Sequence, residues 1–522
     1  MTDAIRQFPR KKARTLRFSC GAPRSARVIA DGSRALFLRS DGPEDTVTSL
    51  WMSVIDEDGN IGEIPLADPR VLLADADAED VPAEEKARRE RAREGGSGIV
   101  SYCVDGAGNR VTFTINGQLF LTDLTAGATR AITIEEDELK PVLNPRIAPD
   151  GEHVLYTTGS YLMLVDIGGE LGDRITAVYG VSVEDEDGNP AENTWKIGLA
   201  EFVAGEEMDR YDGFWWAPDS QHVLFESFDT ADEPTWHISD PADPEKPDAG
   251  RRYPRALTRN ADVYLTVITL AFDENDRYAG ITGNADVDWD REAYEYVAAV
   301  NWRRGHDPLV LVQNRRQTRD QVLEVAVAAD GAALGATRVL EEHANEQWID
   351  LVHGTPAYTP DGRLVCSLND MATDTNRLTM DGRPFTPAGW NVRTVLAVTD
   401  EDVLAVVQRA PEIAPEVPDA WADAAATESV FGDHDARSFD VVSIDYNGTI
   451  TPVTTDPGQW TASRGERGIV VSGRDMRSAR AQMRHILGEQ SATIASTAAE
   501  PGFTPNVTFT GLGEHQLYTA II

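Results

Sequence analysis

The chain has 522 residues, and 48 Lys and Arg against 87 Asp and Glu give it a formal net charge of −39. So acidic a chain repels nucleic acid and anionic membranes, which argues against both as partners. Apolar residues make up 41% of it, as in soluble globular proteins, yet no apolar run approaches the ~20 residues that a membrane-spanning helix needs.

Met1 to Leu16 contains Arg10-Lys11-Lys12 but no apolar stretch after it, so a secretory signal is not expected. Cys20, Cys103 and Cys366 are odd in number and far apart, which reads as isolated thiols rather than a disulfide frame or a zinc site. A cytoplasmic location follows as the expectation. From Asp31 onward, polar turns recur ahead of short β-rich runs. They lie at Asp31 to Leu38, Asp105 to Phe113, Pro149 to Tyr156, Pro218 to Phe225, Phe272 to Ala279 and Pro360 to Cys366, with degenerate copies at Thr399 to Val407 and Ser463 to Val471. Proline presets φ and glycine accepts φ > 0, so Pro-Asp-Gly makes a tight turn, and the strand after it cannot bury its faces alone. Eight copies at irregular intervals of roughly 40–90 residues predict an all-β, eight-bladed β-propeller, residues 1–522 forming one such domain. Two stacked β-sandwiches are the alternative, but they do not normally repeat one turn motif eight times.

Ala83 to Glu94 interrupts the pattern. Strong helix formers, acid–base pairs at i,i+4 and a Gly95-Gly96 stop predict a short inserted helix over about 83–94, almost without an apolar stripe and so a solvated excursion. Asp56 to Asn60 and Glu184 to Asn189 look like calcium loops but lack the full spacing and the closing glutamate; hairpin turns are the better reading.

The stretch Gly198-Leu199-Ala200-Glu201-Phe202-Val203-Ala204-Gly205-Glu206-Glu207-Met208 is the most informative. It runs into Arg210-Tyr211 and Phe214-Trp215-Trp216-Ala217-Pro218-Asp219, so adjacent carboxylates precede a strand that opens on two tryptophans. Flanking apolar residues predict that the segment packs down, and crowded acids repel one another, a cost that a bound cation relieves. Solvated surface is the bland reading in so acidic a chain. The run from Gly198 to Met208 with its Trp-Trp-x-Pro-Asp resembles the signature of the dipeptidyl peptidase IV group of the prolyl oligopeptidase family. Arg252-Tyr253-Pro254-Arg255-Ala256 resembles that family's Tyr-Pro-basic-Ala turn. The resemblance implies that Glu206 and Glu207 bind the free α-amino group of a peptide substrate. It also implies that an arginine helps hold the substrate backbone; Arg88, Arg89, Arg91 and Arg93 are candidates that spacing does not separate.

Further on, Pro411 to Asp435 reads as a long loop and Met476 to His485 as a strand of the last blade, despite its helix formers. The nine histidines are dispersed and no phosphate loop is present, so no metal and no cofactor are expected. Gly-x-Ser-x-Gly, the family's nucleophile elbow, is missing: Gly95-Gly96-Ser97-Gly98 fails at its last position, and no alternation of strands and helices follows. The resemblance therefore implies that the α/β-hydrolase domain is absent from this chain, with no catalytic residue in it and the triad beyond Ile522. Expected partners are peptides with a free N-terminus, preferably with Pro or Ala second, and a C-terminal α/β-hydrolase domain; a homodimer is left open. Two alternatives remain at this point: a non-catalytic interaction platform, and the propeller of an oligopeptidase without an N-terminal anchor.

Overall fold

The computed structural model describes residues 3–73, 81–136, 139–183, 192–239, 241, 249–327, 333–410, 437–475, 481–503, 508–514 and 517–521. Eight antiparallel sheets follow one another along the chain. The first strands of the eight blades begin at Arg24, Cys103, Leu143, Trp195, Tyr296, Ala357, Trp390 and Gly458, and the eighth blade ends with Gln490–Thr493. Second strands such as Arg34–Arg39, His153–Thr157 and Leu309–Gln313 are buried almost throughout, as expected for sheets covered on both faces.

Packing shows how the ring closes. Eight apolar clusters stand among the described residues, one between each pair of consecutive blades. The cluster of Val28, Ala35 and Phe37 with Val470 and Met483 joins the first blade to the eighth. Polar groups reinforce that seam. His485, fully buried, donates from Nε2 to the Gly32 carbonyl (2.8 Å), leaving Nδ1 to accept from Ser53 Oγ (3.1 Å). Arg39 lies over Trp51 at 4.3 Å, pairs with Glu63 at 2.6 Å and donates to the Ala495 carbonyl at 2.8 Å. The eight-bladed expectation holds.

One of the eight turns belongs elsewhere. Seven lie between first and second strands, but Asp273 to Arg277 joins the third and fourth strands of blade 4, held by the Asp273 carboxylate accepting from Asn275 and Arg277 N–H. The matching turn of blade 5 is Arg303 to Pro308, which lacks the Pro-Asp-Gly signature. Any tight turn can use aspartate this way, so composition did not tell an inner turn from an outer one.

Four α-helices accompany the ring among the described residues. α1 (Asp3–Arg14) precedes it and sets Phe8 against Phe18 and Phe503. α2 (Pro69–Leu72) is a single turn capped by Asp68. α3 (Ala83–Arg91) is the inserted helix that the sequence predicts, with Glu85 pairing Arg88 and Arg89. It is not simply solvated, because Arg89 is buried and the helix packs on α4 (Phe202–Glu207). The turn at Asp56 to Asn60 closes a hairpin as expected. Of the strand expected over Met476 to His485, residues 476–480 lie outside the described residues, and Gln482 to His485 fall in the strand Gln482–Leu487; a terminal hairpin pairs Thr508–Leu512 with Leu517–Ile521. The calcium-like Glu184 to Asn189 and the loop Pro411 to Asp435 lie outside the described residues. No described helix is long and apolar enough to cross a membrane.

Blade 5 carries a pH-sensitive contact. His343 lies opposite Asp320 across the third and fourth strands, 2.7 Å from its carboxylate and 3.1 Å from that of Glu341. Burial alone would lower its pKa, but the two carboxylates prevail and push it up to about 9. A raised pKa stabilises the fold fully below the unfolded value near 6.5 and loses that stabilisation as pH rises through about 9. The unfolding free energy measured with urea should therefore fall between pH 7 and 9.5, by an amount on the order of 2 kcal/mol. His343→Gln should flatten most of that slope; identical slopes for both proteins would refute the assignment.

Candidate functional site

The first strand of blade 4 is interrupted. Trp195–Ile197 and Phe214–Trp216 both pair with His222–Asp229, Ile197 opposite Ser227 and Phe214 opposite Phe225, so only Glu226 separates the two pairings. Residues 198–213 leave the strand between them. A Leu199–Asp212 bridge closes the neck. Gly198 turns the chain out at φ +70°, and at Gly213 any Cβ would lie 2.3 Å from the Leu199 carbonyl carbon, so both neck positions need glycine.

Buried ionic groups hold the excursion. Glu201 caps α4, its carboxylate accepting from Val203 N–H (2.7 Å) and Ala204 N–H (2.6 Å). Its own N–H donates to Glu226 Oε1 at 2.9 Å. Arg210 donates to Glu226 Oε2 (2.6 Å), to the Asp212 carbonyl (2.7 Å) and to the Val297 carbonyl of blade 5 (2.9 Å). Every nitrogen of this guanidinium is thus in use. Burial, outweighing Arg210 and aided by Glu201, pushes the Glu226 carboxyl up to about 7. Burial raises Glu201 as well, and it takes Glu233 to about 7 with help from Glu201. Glu226 pairs with the buried Arg210, which also draws Glu201 down, while Glu233 feels Arg252 instead; burying acids this way is costly and is retained where position matters.

The helix divides into two faces. Val203 and Met208 join the core between blades 5 and 6, with Tyr296, Leu311 and Val322, so the segment packs down as expected. Glu206 and Glu207 remain exposed at its end. The Glu206 side chain keeps 43% of its exposure, so it is better hydrated than its apolar flanks suggest. It stands 3.6 Å from Arg91 Nε, and the Arg91 guanidinium lies 4.8 Å from the Phe202 ring. Of the four arginines that spacing leaves open, Arg91 is the one brought to the pair. Glu207 makes no ion pair among the described residues.

Glu206 borders a cavity of about 650 Å³ whose walls come from α3 (Glu90, Arg91), the turn after it (Arg93), α4 (Phe202, Gly205, Glu206) and Asp209, Tyr211 and Arg251; Glu207 is not among them. A second cavity of about 530 Å³ shares Arg91, Phe202, Tyr211 and Arg251 and reaches Glu233. Tyr253 sets its ring edge-on to Phe202 at 4.9 Å, so the Tyr-Pro turn supports the helix that carries the acids. The two sequence motifs meet in space. A larger cavity, about 980 Å³, lies at the inner turns of blades 3 to 6, bordered by Asp150, Asp219 and His306 among others. It shares no residue with the Glu206 cavity, and size alone does not make it the site: the buried ionic scaffold converges on α4.

Glu201, Arg210 and Glu226 were not anticipated. Glu226 carried a signal, as the one acid inside the apolar run Val223-Leu224-Phe225-Glu226-Ser227-Phe228. Glu201 and Arg210 look like ordinary surface charges in so charged a chain.

Comparison with known proteins bears on the same region. The family described as "Dipeptidyl peptidase IV (DPP IV) N-terminal region" matches residues 107–403, which include the interrupted strand and α4. Human dipeptidyl peptidase 8 is 25% identical over 268 residues, 47% of this chain and 29% of the human protein. Its mouse counterpart is 24% identical over 290 residues, 49% of this chain and 31% of that protein. The aligned region is thus less than a third of either relative's length. Among solved structures, a dipeptidyl peptidase 4 from Porphyromonas gingivalis superposes with a TM-score of 0.64 at 14% identity, covering 95% of this chain and 64% of that one. At that identity the likeness is one of fold.

Proposed function

The chain belongs to the family of dipeptidyl peptidase IV N-terminal regions, and on that premise we propose that it is the substrate-anchoring propeller of a dipeptidyl peptidase. The observation that carries the proposal is the position of Glu206. It stands at the end of a helix inserted into the first strand of blade 4, on the wall of a cavity and beside Arg91.

In this reading residues 1–522 form a single propeller domain that works with an α/β-hydrolase domain supplying the serine, acid and histidine. A peptide enters amino terminus first. Its ammonium donates charge-assisted hydrogen bonds to Glu206, with Glu207 as the second carboxylate, while Arg91 offers donors to the peptide carbonyls. The buried Glu226–Arg210–Glu201 set keeps α4 in place, so the anchor stands at a constant distance from the nucleophile. Only the bond two residues in then reaches the serine, and such positioning is a large part of catalysis. Proline or alanine in the second position belongs to the same reading, as do a cytoplasmic setting and a mechanism without metal or cofactor.

Cleavage of Ala-Pro and Gly-Pro anilides by the chain joined to its hydrolase domain tests this. Replacing both glutamates with alanine should abolish most dipeptide release while leaving the fold intact by circular dichroism. Unchanged kcat/KM would favour an oligopeptidase that lacks the anchor.

A further inference from the structure

The cavity beside Glu206 contains more positive charge than an amine anchor needs. Arg91, Arg93 and Arg251 share its walls with Glu90, Glu206 and Asp209. Arg91 is engaged by Glu206 and Phe202, and Asp209 faces the Tyr211 hydroxyl and, at 3.7 Å, His353. Arg93 and Arg251 remain. Both are exposed, and neither side chain forms an ion pair or hydrogen bond among the described residues, Glu90 included. Arg24, Arg39, Arg130 and Arg174 find carboxylates, whereas exposed arginines such as Arg27 and Arg316 form no ion pair among the described residues; what sets Arg93 and Arg251 apart is that both border one cavity together with Glu206.

The backbone adds a second observation. Arg93 follows the α3 C-cap Ala92 in the left-handed region, at φ +53°. Glycine or asparagine normally takes that position, and a bulky residue there costs about 1 kcal/mol. Gly95 and Gly96 lie only two and three residues further on. Strain kept at a residue whose side chain borders a cavity is the kind that accompanies function. The positive character continues beyond Arg93, which also borders an adjoining cavity of about 570 Å³ together with Lys12, Arg17 and Arg474.

The geometry points to a carboxylate subsite: Arg93 and Arg251 take the side chain of an acidic first residue, aspartate or glutamate, while Glu206 takes that residue's ammonium. The inference rests on the reading of Glu206 as the amine anchor. An amino-terminal aspartate or glutamate carries one positive and one negative group on a single residue, and the cavity wall offers the opposite charges together.

Titrating the 522-residue chain with the dipeptides Glu-Pro, Gln-Pro and N-acetyl-Gln-Pro, followed by ligand-observed NMR, tests it. Glutamine matches glutamate in shape and lacks only the charge. Glu-Pro should bind about fivefold tighter than Gln-Pro at low salt, and the margin should shrink as salt is added. Arg93→Met with Arg251→Met should bring the Glu-Pro to Gln-Pro ratio close to one. Equal binding of Glu-Pro and Gln-Pro by the unaltered chain, with N-acetyl-Gln-Pro weaker, overturns the subsite and leaves the amine anchor standing. Binding that ignores acetylation overturns both.

Discussion

Arg210→Ala should destabilise the protein by about 3–5 kcal/mol at pH 8, the usual cost of removing one partner from a buried ion pair. Arg210 is 8% exposed and Glu226 is fully buried, so the glutamate left behind has no water to turn to. Two further losses accompany the charge: the carbonyls of Asp212 and Val297 lose their donor, and the excursion keeps only its apolar packing against blade 5. Residues 198–213 should then exchange amide hydrogens much faster than the rest of blade 4.

The effect depends on pH in a definite direction. Glu226 titrates near 7 in the folded chain, above its unfolded value near 4.3. A raised carboxyl favours the fold fully below the unfolded pKa and loses that contribution as pH rises through about 7. The damage from Arg210→Ala should accordingly be smaller at pH 6, where Glu226 is mostly neutral, than at pH 8. Adding Glu226→Gln should restore much of the lost stability, since the uncompensated charge goes with it. A loss below 1 kcal/mol at pH 8, measured by urea unfolding, would show that this buried set does not hold the excursion.

The second large effect concerns Glu206. Its carboxylate is partly hydrated, so removing it should cost less than removing a fully buried partner; about 1.5–3 kcal/mol of ammonium binding, or tenfold to roughly a hundredfold, is the expectation. Glu207→Ala should cost less than Glu206→Ala, because only Glu206 borders the cavity. Arg91→Ala should weaken peptide binding by a different route, since it removes the donors offered to the peptide carbonyls and uncovers the Phe202 ring while leaving the Glu206 carboxylate without its 3.6 Å partner. Equal losses at the two glutamates would instead indicate that both carboxylates grip the amine.

Much of this arrangement is legible in the residues. Pro-Asp-Gly turns and the apolar strands after them announce the blades because the same packing problem recurs in each. The blade 5 turn escaped because Arg303 to Pro308 uses different residues for the same bend, while Asp273 to Arg277 imitates the signature at an outer turn. The helix over Ala83–Arg91 follows from propensity and i,i+4 pairing, which are local. Its contact with α4 is not local: nothing in the spacing of Arg91 and Glu206 encodes a 3.6 Å approach. The same limit applies to Glu201, Arg210 and Glu226, whose meaning lies in burial that only the folded ring creates. Glu226 alone interrupts an apolar run visibly enough to raise the question.

The most direct test of the central claim is binding of a free amino terminus by the isolated 522-residue chain. N-acetylation of Ala-Pro removes the charge and all but one N–H donor at that end, and both ligands can be titrated against the unaltered chain and Glu206→Gln. The account predicts that Ala-Pro binds at least tenfold more tightly than its acetylated form, and that Glu206→Gln removes most of that difference. Equal binding of the two ligands by the unaltered chain, or a preference untouched by Glu206→Gln, would contradict it.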